Sequence, residues 1–230
     1  MPHNVHIHSN TITLDDVLAT QPQIQIIPTM EKLKGKKFPV ASIVKGMTFS
    51  LVDLTDAPEV MVALKASESP AAELDEDWNV GLVGCLYYQR EAIEEREGEP
   101  AIHKIHQRMM VSGLEDPGTG SASCALSCYL ALGMTENPVG SISVSRPPEQ
   151  GNSAPQVDAD IVEGTRSLHL GAKRGHYVFG IEQGVEMGRK CQICVEVDIT
   201  EDEKGQRTVA SVMLGGRSTV MTKGEIVGVY

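Results

Sequence analysis

The sequence predicts an α+β fold in which a mixed or antiparallel β-sheet is wrapped around one central helix. Residues 121–132 are small or apolar, with apolar positions at helical spacing, so they are expected to form the helix that the sheet encloses. The apolar run 80–89 predicts a buried strand, and residues 103–111 predict another strand. Alternating apolar and polar residues predict four more antiparallel strands, at 177–182, 191–199, 207–214 and 218–229. Because strands and helices do not alternate along the chain, a doubly wound parallel sheet is not expected.

Shorter signals predict the other elements. A strand at 40–54, a helix at 56–66 and an acidic loop at 67–79 follow one another. Residues 91–100 are charged and predict an exposed turn or a short helical piece, and the proline-rich segment 137–160 predicts a connecting loop. Turns between the C-terminal strands are expected at Gly184, near Gly205 and at Gly215–Gly216.

The first 37 residues are poorly patterned. Thr13 is placed to cap a short helix over 14–19, with two aspartates in its first turn. Residues 24–27 predict a strand that ends at Pro28. We therefore divide the chain into an N-terminal extension or remnant, 1–37, and a main domain, 38–230.

Composition excludes several classes of partner. The chain has 230 residues, a formal net charge of −11 and hydrophobic residues at 41%, enough for a real core. Nucleic acid and anionic membranes are not expected as partners, because both require clustered Lys and Arg. No apolar run approaches the ~20 residues needed to cross a bilayer, and the N-terminus lacks a signal-peptide pattern. With five cysteines, an odd number, the simplest interpretation is a cytoplasmic protein with reduced thiols.

The segment 115–122 combines a tight loop with the start of the central helix. Pro117 fixes one backbone angle, whereas Gly118 and Gly120 leave the chain free to turn. The first N–H groups of a helix have no partner within it, and the helix dipole adds partial positive charge there. A glycine-rich turn that opens into such a helix can bind a carboxylate or phosphate, with Asp116 at its rim and the Ser121 hydroxyl as a donor. The alternative is an ordinary loop, capped by Thr119 or Ser121, before a helix that is simply part of the core.

Two separated motifs resemble those of one known family. Residues 115–122, with the sequence EDPGTGSA, closely resemble the EDPxTGSA signature of the phenazine-biosynthesis PhzF-like proteins, which have the diaminopimelate epimerase fold. Residues 183–189, QGVEMGR, resemble the family's QGxxMGR turn, and 212–225 resemble its closing hairpin. The similarity covers roughly residues 38–230, and the order of the motifs is the same.

The resemblance implies a β-roll around the central helix and a function in cofactor-independent isomerisation or epimerisation. In this family a cleft between two similar halves transfers a proton on an amino-acid-like carboxylic acid. Carried over to this chain, Asp116 corresponds to an acidic catalytic position and Ser121 to a substrate contact. The remaining substrate-binding positions would be Gly118, Thr119, Gly120 and Ala122. A carboxyl group in a closed, dry cleft has a raised pKa and can exchange a proton near neutral pH.

The chain departs from the family in one large respect, because only the second half is recognisable. No counterpart of the first-half glutamate base or of the GHxT turn is found, and Glu115 is a poor substitute because it is committed to the loop. A second copy of the chain could restore the cleft, so we expect a homodimer. The leading hypothesis is a PhzF-like isomerase that binds a small carboxylate without a cofactor. The alternative is an inactive binding or dimerisation module.

Two other groups of residues invite a metal or redox interpretation, and neither is favoured. Two of the three histidines His3, His6 and His8 would lie on the same face, but only if a strand forms there. No carboxylate cluster lies beside them in the sequence. The pair Cys191 and Cys194 falls in a strand, so the two thiols would point to opposite faces. Cys124 and Cys128 are interpreted as small buried hydrophobes on the helix, although a thiol near a helix N-terminus can be acidic. No metal site is therefore expected.

Overall fold

The computed structural model of the chain describes residues 3–134 and 173–216. The predicted loop at 137–160 and the predicted strand at 218–229 lie outside these residues. In chain order the described elements are β1 His6–Thr13, α1 Leu14–Thr20, two 3₁₀-helices Pro22–Ile26 and Pro28–Leu33, β2 Lys37–Val44, β3 Met47–Asp53, α2 Val60–Ala63, β4 Leu82–Arg96, β5 Glu99–Val111, β6 Leu114–Asp116, α3 Gly120–Gly133, β7 Lys173–Gln183, β8 Cys191–Glu201 and β9 Arg207–Gly216.

The nine described strands form one mixed sheet that curls around α3. The strand order is β1-β2-β3-β4-β5-β7-β8-β9, and β6 pairs with β5. The pairs β3–β4 and β5–β7 are parallel, and the others are antiparallel. Since α3 contacts β2 and β3 near one end of this order and β7, β8 and β9 at the other, the sheet must curve around it. The prediction of a sheet wrapped around one central helix is confirmed at this level.

Two apolar cores lie on opposite faces of the sheet. The inner core surrounds α3, whose small buried residues, including Ala122, Ala125 and Cys128, let the strands approach the helix closely. The outer core packs α1, the 3₁₀-helices and α2 against the other face of β2 to β5. Among the described helices, none combines the length and the apolar character needed to cross a membrane, and the longest, α3, has 14 residues.

The helix predicted after Thr13 is confirmed. Thr13 is the N-cap of α1, and its hydroxyl accepts a hydrogen bond from the backbone N–H of Asp16. The Asp16 carboxylate accepts in return from the backbone N–H of Thr13, which completes a capping box. The resulting hydrogen bonds hold the pKa of Asp16 below its usual value.

Four predicted elements differ in the structure. The strand predicted at 40–54 is the hairpin of β2 and β3, because Gly46 has φ +91° and turns the chain. The strand predicted at 24–27 is a 3₁₀-helix that begins at a proline. The charged segment 91–100 is the tip of the β4–β5 hairpin, with its turn at Gly98. Gly215 and Gly216 do not form a bend but end β9, where they pair with β8.

The helix predicted at 56–66 is reduced to the four residues of α2. The physical reason is the buried side chain of Gln21, which takes over both backbone groups of Lys65. Gln21 Nε2 donates to the Lys65 carbonyl at 2.6 Å, and its Oε1 accepts from the Lys65 N–H at 3.0 Å. The backbone N–H and C=O of Lys65 therefore bond to the Gln21 side chain rather than to other residues of a helix. The division of the chain at residue 37 stays a prediction.

Candidate functional site

The loop between β6 and α3 carries the residues that the sequence marks as a candidate site. β6 ends at Asp116 and α3 begins at Gly120, so Ser121 and Ala122 lie in the first helical turn. The residues between the two elements are Pro117, Gly118 and Thr119. β6 pairs with β5, which places the loop at one end of the curled sheet, beside the N-terminus of the central helix.

Both carboxylate oxygens of Asp116 hold this loop in shape. Oδ1 accepts a hydrogen bond from the backbone N–H of Gly118 at 3.0 Å, and Oδ2 accepts from Thr119 Oγ1 at 2.7 Å. A bond from an Asp side chain to the backbone two residues on is an Asx turn. A carboxylate has about four acceptor positions, so each oxygen of the half-buried Asp116 can accept another hydrogen bond.

The first turn of α3 presents backbone donors. The first bond of the helix joins the Ser123 N–H to the Thr119 carbonyl at 3.1 Å. The N–H groups of Gly120, Ser121 and Ala122 therefore precede the helical hydrogen-bond ladder. Thr119 is the N-cap, but its side chain does not cap the helix because its hydroxyl is donated to Asp116. The alternative of a side-chain cap at this position is wrong for Thr119, whereas burial of the helix in the core is observed.

Gln183, the last residue of β7, joins the loop to the rest of the fold. Its Oε1 accepts from the Thr119 N–H at 3.0 Å, and its Nε2 donates to the Asp116 carbonyl at 2.6 Å and to Thr119 Oγ1 at 3.2 Å. Gln107 on β5 donates from Nε2 to Gln183 Oε1 and to Ser123 Oγ, both at 2.7 Å. Gln183, Gln107 and Ser123 are all fully buried. The sequence analysis missed this network, although the glutamine of the QGVEMGR motif is its centre.

The turn after Gln183 packs directly on the loop. Gly184 has φ +73°, and a Cβ built on it would lie 2.7 Å from the Pro117 carbonyl oxygen and 2.5 Å from that of Arg189. Only glycine fits, for both conformational and steric reasons. The two motifs that resemble one family in the sequence are therefore neighbours in space, and the predicted turn at Gly184 is confirmed.

A second network supports the loop from the outer face of β5. Arg108 binds the Glu115 carboxylate through Nε at 2.8 Å and Nη2 at 2.7 Å, and the two side chains are only 5% and 9% exposed. Glu186 lies 3.9 Å from Arg108 and 3.1 Å from His106. The Glu115 carboxylate is thus committed to Arg108, which gives a physical reason why it is a poor candidate for a free base.

One apolar side chain flanks the start of α3. A Cβ at Gly120 would lie 2.7 Å from Leu214 Cδ2, so glycine allows β9 to approach the first helical turn. Leu214 is 44% exposed. Three other exposed apolar residues lie on elements around the loop, and together with Leu214 we call this set the apolar rim: Leu114, Val185, Met187 and Leu214.

The cysteines behave as the sequence predicts. Cys191 is half-buried against the inner core and Cys194 is exposed, so the two thiols face opposite sides of β8. Burial raises the pKa of Cys124 to about 11 and that of Cys128 to about 12, so neither thiol on α3 is acidic.

A cluster of two histidines and one carboxylate forms away from the loop. No carboxylate cluster lies beside the N-terminal histidines in the sequence, but the fold brings the carboxylate of Asp75 to His6 and His8. His6, His8 and Asp75 place one ligand-type atom each within 4.8 Å of one another. Asp75 comes from the acidic segment 67–79, so only the tertiary structure brings it to β1.

A cavity of about 680 Å³ lies at the opposite end of α3 from the loop. Its lining includes Leu130 and Met134 at the end of the helix, and Tyr177 and Phe179 on β7. A helix of 14 residues is roughly 20 Å long, so this cavity is separate from the candidate site.

Comparison with known proteins yields a structural likeness. The chain matches no protein-family model and no curated protein. It is similar in structure to a crystal structure from Bacillus anthracis described as a phenazine biosynthesis protein of the PhzF family, with 16% sequence identity and a TM-score of 0.34. The match covers 78% of this chain and 48% of the other, so the chain spans about half the length of that protein.

Proposed function

We propose that this protein is a cytoplasmic, PhzF-like member of the isomerase superfamily with a diaminopimelate-epimerase type of β-roll. It binds a small carboxylic or amino-acid-like acid at the start of α3 and transfers a proton through Asp116, without a cofactor. The observation that carries this proposal is that backbone N–H donors at the start of α3 and the carboxylate of Asp116 belong to one short segment. The N–H groups of Gly120, Ser121 and Ala122 precede the hydrogen-bond ladder of α3, and Asp116 lies four residues before the helix, in a segment whose sequence resembles EDPxTGSA.

Each residue has a specific task in this proposal. The three N–H groups and the helix dipole bind the substrate carboxylate and stabilise charge that develops as a proton leaves carbon. The Ser121 hydroxyl, which has no hydrogen bond to the described residues, donates to the substrate. Gly118 and Thr119 shape the loop so that the acid can approach the backbone. Asp116 keeps acceptor capacity on both oxygens for the proton-transfer step.

A second copy of the chain completes the cleft in this proposal. Proton transfer at a carbon normally requires an acid and a base, and the nearby Glu115 and Glu186 are paired with Arg108 and His106. The residues of the apolar rim lie on β6, on the turn after β7 and on β9, the elements next to the loop, and exposed apolar surface is typical of interaction sites. A partner that packs on this rim would exclude water from the site and bring a second set of side chains to it.

One observation favours a second candidate function, a non-catalytic module that binds carboxylates or dimerises. Both oxygens of Asp116 already serve the loop, as expected of a residue whose task is structural. In that case the donors of α3 would still bind an acid, but no proton would be exchanged with carbon.

Exchange of the α-proton with solvent distinguishes the two functions. The full chain is incubated in deuterated water with a panel of amino acids and small dicarboxylic acids, and deuterium at the α-carbon is followed by NMR. The isomerase is expected to incorporate deuterium, and Asp116→Asn is expected to stop incorporation. The loop should tolerate this variant, because the Thr119 hydroxyl can reverse and accept from the new amide. Asp202→Asn, in the exposed turn between β8 and β9, is the matched control.

Calorimetric titration with the same acids completes the test. If Asp116→Asn binds an acid as the wild type does, and the wild type incorporates no deuterium, the binding module is the correct function. If neither protein binds any acid, the isomerase and the carboxylate-binding module are both wrong, and only a dimerisation module remains. The dimer is tested by sedimentation: Val185→Lys in the apolar rim should shift the protein towards monomer. Ile93→Lys, also at an exposed apolar residue but beside the cavity at the other end of α3, should not.

A further inference from the structure

The cluster of His6, His8 and Asp75 combines two features of a metal site. His6 and His8 are two residues apart on β1, so their side chains lie on the same face of the strand. Asp75 adds a carboxylate, with Oδ2 at 2.7 Å from His6 Nε2 and 3.9 Å from His8 Nδ1. Two imidazoles and one carboxylate are a common ligand set for zinc and related divalent ions.

The atoms that face away from this cluster have partners of their own. His8 Nε2 is hydrogen-bonded to the buried Ser42 hydroxyl at 2.9 Å, and His8 itself is buried. Asp75 Oδ1 accepts from Ser9 Oγ at 2.5 Å and from the Ser9 N–H at 3.1 Å. Outer partners of this kind orient metal ligands: a ligating histidine usually donates its other N–H, and a ligating carboxylate is usually hydrogen-bonded as well.

We propose that His6, His8 and Asp75 form a binding site for a divalent transition-metal ion of the zinc, cobalt or copper type. The ligand atoms are His6 Nε2, His8 Nδ1 and Asp75 Oδ2, and water fills the remaining coordination positions. The ion would fasten the acidic segment around Asp75 to β1. The site is independent of the proposed carboxylate site, because it lies on different elements.

Binding requires two local changes that follow from the contacts. His6 Nε2, which now faces the Asp75 oxygen at hydrogen-bond distance, must present its lone pair, so its proton moves to Nδ1 or to solvent. His8 Nδ1 now accepts from the Asp75 backbone N–H at 3.1 Å, and the ion takes that lone pair instead.

The single tryptophan of the chain reports directly on this site. Trp78 stacks on His6 with ring centroids 4.4 Å apart and an angle of 10° between the rings. Copper(II) at His6 is expected to quench Trp78 fluorescence saturably, with one equivalent per chain. Cobalt(II) gives a second readout, since its visible spectrum reports histidine coordination. Zinc(II), which does not quench, should displace cobalt(II), and only a large excess should compete with copper(II) and restore the fluorescence, because copper(II) binds nitrogen and oxygen ligands more tightly than zinc(II).

Two partly exposed ligands give variants that should fold. Loss of a residue that hydrogen-bonds a metal ligand typically weakens metal binding by ~10–100-fold. His6→Gln and Asp75→Asn each remove a ligand itself, so each is expected to weaken copper binding by more than this. Ser42→Ala, which removes the partner of His8 Nε2, is expected to weaken it by about tenfold. His176→Gln is the matched control, because His176 also pairs with an aspartate, Asp198 at 2.7 Å, but has no second histidine beside it in the described residues. Circular dichroism of each variant checks the fold.

The proposal is overturned by either of two results. One is an absence of saturable quenching in the wild type at micromolar copper. The other is equal copper affinity in the wild type, His6→Gln and Asp75→Asn, which would mean that the ion binds elsewhere. Neither result concerns the carboxylate site, so the two proposals fail separately.

Discussion

The side chain of Gln183 binds the backbone N–H of Thr119, 64 residues earlier in the chain, at 3.0 Å. The same side chain donates to the Asp116 carbonyl, so one residue at the end of β7 fixes both ends of the loop before α3. The conformation of the candidate site is therefore set by contacts across the sheet and not by the loop alone.

Gln183→Ala is expected to lower the free energy of unfolding by about 3 kcal/mol. The substitution leaves the buried N–H of Thr119 and the carbonyl of Asp116 without partners, and each such buried group costs about 1–3 kcal/mol. Chemical denaturation measures the change. Gln192→Ala, on the exposed face of β8, is the control and should change stability by less than about 0.5 kcal/mol. Equal effects of the two variants would contradict a bracing role for Gln183.

Glu115→Gln is expected to destabilise the fold by roughly 3 kcal/mol, because it removes the carboxylate that binds both Nε and Nη2 of the buried Arg108 guanidinium and leaves only Glu186, at 3.9 Å, as a charged neighbour. The control is Glu99→Gln, which removes the partner of Arg96 in an ion pair whose carboxylate is 60% exposed. An exposed pair of this kind contributes less than about 1 kcal/mol. Thermal and urea unfolding of both variants test the difference, and a loss below 1 kcal/mol for Glu115→Gln would refute the prediction.

Gly184→Ala and Gly188→Ala separate steric contact from backbone conformation within one turn. Both glycines have positive φ, +73° and +66°, so each alanine carries a conformational cost of about 1–2 kcal/mol. At Gly184 the methyl group would also meet two backbone oxygens, whereas at Gly188 there is no atom of the described residues within 4 Å. Gly184→Ala should therefore be the more destabilising by roughly 1–3 kcal/mol. Similar unfolding midpoints would contradict the close approach of the turn to Pro117.

The pair His176 and Asp198 should make stability depend on pH. The hydrogen bond that His176 donates to the Asp198 carboxylate raises the pKa of His176 above its usual value. The charges of Asp198 and Glu196 add to this effect, and burial opposes it. Above the unfolded pKa of about 6.5, the folded chain still binds this proton when the unfolded chain has released it, so stability falls as the pH rises. The contribution is fully present below about pH 6.5 and is lost as the pH passes the folded pKa. His176→Gln should remove this part of the slope, measured by urea unfolding at a series of pH values in the presence of a chelator. A slope unchanged in His176→Gln would show that another group is responsible.

The sequence by itself determined the elements whose signals are local. The apolar spacing of 121–132 placed the central helix to within one residue at each end, since α3 spans Gly120–Gly133. The box of Thr13 and Asp16 marked the start of α1, and the strand period assigned Cys191 and Cys194 to opposite faces. Such features depend on residues within a few positions of one another, so a pattern in the chain is sufficient to predict them.

Only the tertiary structure decided which residues meet across long separations. Gln21 shortened α2 by binding Lys65, Asp75 joined two histidines 67 and 69 residues away, and Gln183 reached the loop. Each of these is a buried or half-buried polar group that must find a hydrogen-bond partner. Strand order and register determine which partner it meets in a sheet with parallel pairs and a central helix. Composition and periodicity carry no information on the register between distant strands. The sequence therefore does not predict these contacts, and the folded sheet is needed to find them.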